Sequence, residues 1–338
     1  MYTEFYRLKG LPFQLTPDPR FFFSSAGHAR AMAHLTYGLH QGEGFIVITG
    51  EVGAGKTTLV DLLLSQLDTS AYAAAKIVTS QLQGDDLLRM VAAAFGLYVA
   101  GMEKAAMLRR IEDFVHANMR SRKRSLILID EAQNLTIGAL EELRMLSNFG
   151  RGGMSPVQSF LVGQPQFRNI MASPELDQLR QRVIASYHLG PMTEAETKAY
   201  MLHRLKTVGW NDDPVLGDDA FGAIYRFSEG VPRRINTLAS RLLLFGYLEE
   251  RHALDAAAVT QVAEELQSEL SPVVTALSPT GPHDVVPRVN GNGMVADAML
   301  SEIMTRVAAI EQTMGKHERT IKRALEIIAT YMRGAPPQ

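Results

Sequence analysis

Residues 50–58 have the residue types and spacing that can hold a chain of phosphates. They are Gly50, Glu51, Val52, Gly53, Ala54, Gly55, Lys56, Thr57 and Thr58. The glycines allow the tight curl in which several backbone N–H groups converge on one point. Lys56 would then reach the β- and γ-phosphates, and the Thr57 hydroxyl would ligate Mg²⁺. This phosphate loop predicts a nucleoside triphosphate site; the alternative is a glycine-rich turn that matches by chance.

The segments around the phosphate loop are those that such a site needs. Apolar residues 45–48 precede the loop and predict a buried strand, and residues 59–64, which are apolar except for Asp61, follow it as in a helix. A helix that starts near Lys56 would direct the positive end of its dipole at the phosphates. We therefore expect a strand, the loop and a helix in direct succession.

A second candidate site is the carboxylate pair Asp130 and Glu131, which follows the apolar residues 126–129. These residues predict a buried strand, and α/β sheets bind ligands outside the carboxyl ends of their strands. Asp130 could hold Mg²⁺ through water, while Glu131 could orient or deprotonate an attacking water. The pair predicts hydrolysis in addition to binding, although a solvated acidic strand end would look the same.

Strand and helix patterns alternate over residues 1–190. Further strands are expected at 76–79, 157–162 and 183–189. Helices are expected at 85–95, 103–121 and 137–148. Alternation of this kind predicts an α/β fold, with a parallel sheet covered by helices on both faces.

The chain changes character after residue 190. Residues 191–270 have helical patterns, with a capping box from Thr193 to Glu196 and helices expected at 218–228, 233–250 and 255–269. Residues 271–295 contain prolines and glycines and predict a flexible linker. Apolar residues over 296–332 alternate three- and four-residue steps, which indicates a heptad helix. This helix would form a coiled coil or dock on a partner; the alternative is a lone amphipathic helix on the body.

Composition limits the function classes. The formal net charge of −2 lacks the basic excess expected for strong binding to a nucleic-acid backbone, although a local basic patch remains open. Without cysteine there is no disulfide, thiolate metal site or cysteine nucleophile. The N-terminus does not have the order of a signal peptide, and no stretch reaches the ~18 apolar residues of a membrane span. Because ATP is a cytoplasmic resource, we expect the chain in the cytoplasm.

Separate motifs spread over residues 1–270 agree with one another. They are Phe5-Tyr6, Pro12-Phe13, residues 16–19, His28, Tyr37-Gly38-Leu39, the phosphate loop, and residues 129–134, 161–165, 179–183 and 230–236. Together they resemble the AAA+ ATPases of the general secretion pathway protein A type, most closely the exosortase-associated (PEP-CTERM locus) secretion ATPases. The resemblance implies a P-loop NTPase (AAA+) domain at 1–190, a helical lid at 191–270, and ATP with Mg²⁺ as its ligands.

The same resemblance implies roles for four further residues. Gln164 would be the sensor that positions the attacking water, and Arg233 would report the γ-phosphate to the lid. Either Arg180 or Arg182 would be an arginine finger that acts on a neighbouring subunit's nucleotide. Each has an ordinary alternative: Gln164 could cap its strand, Arg233 could be a solvated residue at a helix start, and the finger candidates could form surface ion pairs.

The resemblance also implies where the adenine would lie and which partners the chain would have. Residues 1–40 would lie near the adenine, with Pro12-Phe13 and the segment from Pro17 to Pro19 as its wall or as simple apolar packing. We expect a homo-oligomer that powers or regulates a bacterial export system, of the exopolysaccharide or exosortase kind, through a cytoplasmic or inner-membrane component. One rival is a transposition-type ATPase that binds DNA when loaded with ATP. Another is a nucleotide-dependent scaffold without turnover, against which Glu131 argues.

Overall fold

The computed structural model describes residues 2–16, 18–78, 83–149 and 157–270. The predicted linker at 271–295 and the predicted heptad helix at 296–332 lie outside the described residues. The division at residue 190 into sheet domain and lid stays a prediction, because residues 1–273 form one compact unit.

A five-stranded parallel sheet forms the centre of the sheet region and confirms the predicted fold class. Its strands are β1 (Phe45–Gly50), β2 (Tyr72–Val78), β3 (Arg124–Asp130), β4 (Val157–Gly163) and β5 (Val183–Leu189). They are ordered β2-β3-β4-β1-β5, so that β1 is flanked on both sides and fully buried. Since all the strands are parallel, the segments after β1, β3 and β4 meet at one edge.

Helices cover both faces of the sheet and form most of residues 191–270, the predicted lid, which is called the lid below. In chain order they are α1 (Tyr2–Phe5), α2 (Ala26–Gln41), α3 (Lys56–Gln66), α4 (Gly84–Ala94), α5 (Lys104–Arg120), α6 (Ile137–Leu146), α7 (Gln166–Met171), α8 (Asp177–Arg180), α9 (Glu194–Thr207), α10 (Asp218–Ser228), α11 (Pro232–Leu248) and α12 (Ala256–Leu270). Two short strands, β6 (Val215–Leu216) and β7 (Ala253–Leu254), pair within the lid. Within the described part of the chain, no helix is long and apolar enough to span a membrane.

Alternation along β3 explains the two layers. Ile127 and Ile129 face a core shared with α4, α5 and α6, whereas Leu126 and Leu128 face a core shared with α2 and α3. Successive side chains of a strand point to opposite faces, so the continuous apolar residues 126–129 must be covered on both faces. This arrangement fixes the position of the acidic pair that follows β3.

The lid has its own core, and the N-terminal residues belong to it. Tyr2, Tyr6 and Phe13 are buried among side chains of α9, α10, α11 and α12. The Tyr6 hydroxyl donates to the carbonyl of Arg251 at 2.9 Å. The start of the chain is therefore anchored on the lid. In the lid itself, Thr193 and Glu196 form the predicted capping box.

We predict that Gly230→Ala destabilises the fold strongly. Gly230 joins α10 to α11 with φ +71°, and an added Cβ would stand 2.0 Å from the Met192 carbonyl oxygen. The left-handed backbone and the backbone clash together predict a loss of about 3 kcal/mol or more, measured by urea unfolding. Gly101→Ala is the control: its φ is similar at +73°, but the space around it is open. It should lose about 1 kcal/mol, and equal losses in the two variants would contradict the proposed contact.

Candidate nucleotide-binding site

The phosphate loop connects the carboxyl end of β1 directly to the first residue of α3. Gly53 and Gly55 have φ values of +82° and +95°, which bend the backbone in the direction that side chains disfavour. The strand, loop and helix thus follow one another as the sequence suggested. Residues 50–58 surround the N-terminus of α3, where the helix dipole favours an anion.

Lys56 is held inside the loop. Its Nζ donates to the carbonyl oxygens of Gly50 at 2.7 Å and Glu51 at 2.8 Å. Burial lowers the pKa of the Lys56 amine, and the nearby carboxylates of Glu131, Asp130 and Glu51 oppose that shift. A buried ammonium group bonded to neutral carbonyls would gain from an anionic partner, which is the chemistry of a phosphate-binding lysine.

Thr57 and Asp130 meet across the site. The Thr57 hydroxyl donates to Asp130 Oδ2 at 2.6 Å, and Asp130 Oδ1 accepts the N–H of Glu131 at 2.9 Å. Asp130 is only 2% exposed. A hydroxyl and a carboxylate in direct contact are the hard oxygen ligands that Mg²⁺ prefers, so these residues fit that ion.

Glu131 lies within a group of amide side chains at the ends of β3 and β4. Its backbone is left-handed, with φ +57°. Glu131 Oε2 accepts from Gln133 Nε2 at 2.6 Å and from Gln164 Nε2 at 3.1 Å. Gln133 Oε1 in turn accepts the N–H of Gln164 at 2.9 Å. The structure therefore brings together Glu131 and Gln164, and Gln133 connects them.

No role for Gln133 follows from the sequence alone. Gln133 lies in the motif 129–134, but a glutamine three residues after a strand has no chemical signature of its own. Its importance comes from pairing between β3 and β4, which places the end of β4 beside it.

Arg233 lies against the phosphate loop. Its N–H donates to the Gly53 carbonyl at 3.2 Å, and a Cβ added to Gly53 would be 2.3 Å from Arg233 Cβ. Arg234 pairs with Glu229 on the surface instead. The start of α11 is thus in backbone contact with the loop, which places the lid next to the predicted γ-phosphate position.

Arg180 and Arg182 lie far from the loop of their own chain. They precede β5 and flank the amino end of β1, where the Phe45 N–H donates to the Arg182 carbonyl at 2.9 Å. β1 has six residues, which places them about 20 Å from the phosphate loop. Arg180 pairs with Asp177, and Arg182 donates to Ser147 Oγ at 2.7 Å.

A cavity of about 340 Å³ lies beside the phosphate loop. The loop, the N-terminal segment and the lid line it together, through Gly53, Gly55, Lys56, Thr57, Glu131, Leu15, Phe21, Phe22, Met192, Tyr200, Arg233 and Asn236. This volume is within the usual range of small-molecule sites. Residues 14–16 and 18 line the cavity, whereas Phe13, one of the residues predicted to wall the adenine, belongs to the lid core.

Buried polar groups tie the N-terminal segment to the lid at this cavity. The Arg204 guanidinium donates to the Tyr200 hydroxyl at 2.7 Å and to the Gln14 carbonyl at 3.1 Å. The Tyr200 hydroxyl donates to Asn236 Oδ1 at 2.8 Å. Arg204 also lies over the Phe21 ring, 4.8 Å from its centroid. The lid and the N-terminal segment therefore form one side of the cavity together, and the phosphate loop with Glu131 forms the other.

Comparison with known proteins agrees with this geometry. Residues 39–171 match a family described as AAA domain. General secretion pathway protein A of Aeromonas hydrophila is 37% identical over 267 residues, which are 79% of this chain and 48% of that protein. This chain has the AAA+ fold and is similar to the ATPases of the general secretion pathway protein A type. It spans about half the length of the curated relative that it matches.

Solved structures support the AAA+ fold. The ORC2 protein of Aeropyrum pernix, in ADPNP–ADP complexes, superposes with a TM-score of 0.58 at 18% identity, covering 75% of this chain and 71% of that one. Cdc6p of Pyrobaculum aerophilum gives a TM-score of 0.58 at 15% identity, covering 74% and 71%. These similarities concern the fold alone.

We predict that Gln133→Leu lowers any ATP turnover of this AAA+ domain by about tenfold or more while ATP affinity changes less than about threefold. The variant removes one donor to Glu131 and the acceptor for the Gln164 N–H, without touching the phosphate loop. Steady-state kinetics and calorimetric titration measure the two effects. Gln166→Leu, on the exposed start of α7, is the control. Equal kcat in Gln133→Leu and the wild type would contradict this role.

Proposed function

We propose that this chain binds ATP with Mg²⁺ and hydrolyses it. The observation that carries the proposal is the position of Glu131, which lines the same cavity as Lys56 and Thr57 and accepts hydrogen bonds from two glutamine amides. Binding alone would not require a carboxylate held in this orientation beside the loop. A positioned carboxylate is the group that activates water in hydrolysis.

Each residue of the site has a distinct role in this proposal. Backbone N–H groups of the phosphate loop bind the phosphates, and Lys56 contacts the β- and γ-phosphates. Thr57 and Asp130 hold Mg²⁺, which neutralises charge on the phosphates. Glu131 orients or deprotonates the attacking water, with Gln164 beside it.

Arg233 would carry information from the nucleotide to the lid. Its backbone contact with Gly53 places the start of α11 at the loop, and its side chain lines the cavity. A triphosphate would attract this cation more strongly than a diphosphate because it carries more negative charge. Hydrolysis would therefore change how firmly the lid is held against the loop.

Arg180 or Arg182 would complete the site of a neighbouring copy. Both lie at the sheet edge opposite the phosphate loop of their own chain, which supports a role in trans, within a homo-oligomer. Arg182 is anchored through Ser147 and its own backbone, whereas Arg180 is more exposed. Turnover that rises with protein concentration would support the oligomer.

We further propose that the ATPase serves a bacterial export system. The similarity to general secretion pathway protein A supports this, and the sequence motifs favour an exopolysaccharide or exosortase-associated system at the inner membrane. The chain would act from the cytoplasm, with residues 296–332 as the docking helix.

DNA binding in the ATP-loaded state is the second candidate function, because one similar fold is that of Drosophila ORC bound to DNA. The net charge of −2 argues against it.

We predict that Lys56→Ala loses both ATP binding and hydrolysis, whereas Glu131→Gln keeps ATP affinity within about threefold and lowers kcat by about 10²–10⁴-fold. The first change removes the phosphate contact, and the second removes only the group that acts on water. Titration with ATP and phosphate-release kinetics separate the two effects. Lys206→Ala and Glu175→Gln, both at exposed positions, are the matched controls.

Two outcomes would decide against parts of the proposal. Hydrolysis by Glu131→Gln at the wild-type rate would exclude Glu131 as the group that activates water. Turnover that occurs only with added duplex DNA, and that falls steeply with salt, would favour the DNA-dependent function over export.

A further inference from the structure

His28 lies against the phosphate loop, on the first turn of α2, and is among the residues that line the cavity. It is 6% exposed. Its Nε2 is 3.1 Å from the Ala54 carbonyl oxygen, and its Nδ1 is 2.7 Å from Ser25 Oγ. An added Cβ on Gly55 would stand 2.8 Å from His28 Nε2, so the ring packs tightly against the loop backbone. None of the roles described so far uses this side chain.

The hydrogen-bond partners determine the tautomer of His28. A carbonyl oxygen can only accept, so Nε2 must carry the proton that it donates to Ala54. Burial lowers the pKa of the ring, which favours the neutral form. Nδ1 then accepts from the Ser25 hydroxyl, whose oxygen also accepts the His28 backbone N–H at 3.3 Å. Both ring nitrogens are thereby assigned.

The hydrogen bond from His28 to the Ala54 carbonyl also limits the orientation of the Gly55 N–H. The Ala54 C=O and the Gly55 N–H belong to one planar trans peptide unit, in which the two groups point in opposite directions. A donor that fixes the carbonyl on one side therefore aims the Gly55 N–H to the other side. Gly55 needs this constraint, because glycine rotates freely when nothing holds its backbone.

We propose that His28 is a positioning residue of the phosphate loop, which orients the Ala54–Gly55 peptide so that its N–H faces the phosphates. The inference rests on the proposed ATP site. It adds a residue outside the phosphate loop that determines the affinity of this site for ATP. His28 acts through the loop backbone, because its two ring nitrogens are hydrogen-bonded to Ala54 and Ser25.

Hydrogen bonds connect the start of α2, which carries His28, to the lid. Ser25 caps α2, and the next N–H, that of Ala26, donates to Glu196 Oε1 at 2.7 Å. Glu196 Oε2 accepts the N–H of Thr193 at 2.9 Å. One carboxylate thus joins the start of α2, which carries His28, to the start of α9 in the lid. Lid position and loop orientation are connected through this residue.

The test compares His28→Leu with His28→Gln. Leucine fills the space without a donor, whereas the glutamine amide reaches the position of Nε2 and can donate to Ala54. We expect His28→Leu to weaken ATP, ADP and tripolyphosphate equally, by about tenfold, with kcat at saturation within about twofold of wild type. His28→Gln should keep affinity within about threefold. His34→Leu, on the same helix but stacked on Tyr187, is the control and should leave affinity unchanged.

Wild-type affinity in a folded His28→Leu, or equal weakening in both His28 variants, would overturn the inference while the proposed ATP site stands. A wild-type chain that does not bind ATP would overturn the proposed function itself. If His28→Leu does not fold, ¹⁵N NMR spectra of the His28 ring in the wild-type protein test the inference through the tautomer of the ring. The Nε2–H tautomer with and without ADP supports the inference, and the Nδ1–H tautomer overturns it.

Discussion

The structure depends on one backbone constraint: between Gly50 and Lys56 the chain must turn from a buried central strand into a helix while its N–H groups converge on one point. That turn is tight, and three of its residues are each in contact with a different element of the structure. The Leu189 carbonyl would lie 2.5 Å from a Cβ at Gly50, Arg233 packs on Gly53, and His28 holds Ala54. β5, α11 and α2 therefore all limit the conformation of one loop.

These contacts explain how a nucleotide could change the shape of the molecule. The phosphate end of the cavity is built from sheet elements, and the opposite end from the lid and the N-terminal segment. Arg204 bonds to Gln14 and Tyr200, so the N-terminal segment is fixed to the lid. A ligand that fills the cavity would contact both parts at once, and we propose that its phosphates would determine how closely Arg233 and the loop approach. Coupling of this kind requires no long pathway, because the two parts meet at the loop itself.

The features that could be predicted are contiguous in the sequence. The phosphate loop and the Asp130–Glu131 pair each lie beside an apolar strand, so their pattern and context identify them together. The position of Gln133 depends on β3 pairing with β4, and the burial of Tyr6 depends on a contact with Arg251. Neither of these long-range contacts can be predicted from the periodicity of the sequence. The strand order and the packing of the N-terminus on the lid were inaccessible for the same reason.

The central claim is that one nucleotide contacts loop, lid and N-terminal segment together. Amide hydrogen exchange, with and without Mg²⁺-ADP, tests it most directly. The account predicts added protection at residues 50–58, 232–236 and 18–23 at the same ligand concentration, because all three line one cavity. Protection confined to the loop, with the lid and N-terminal segment unchanged at saturation, would contradict it.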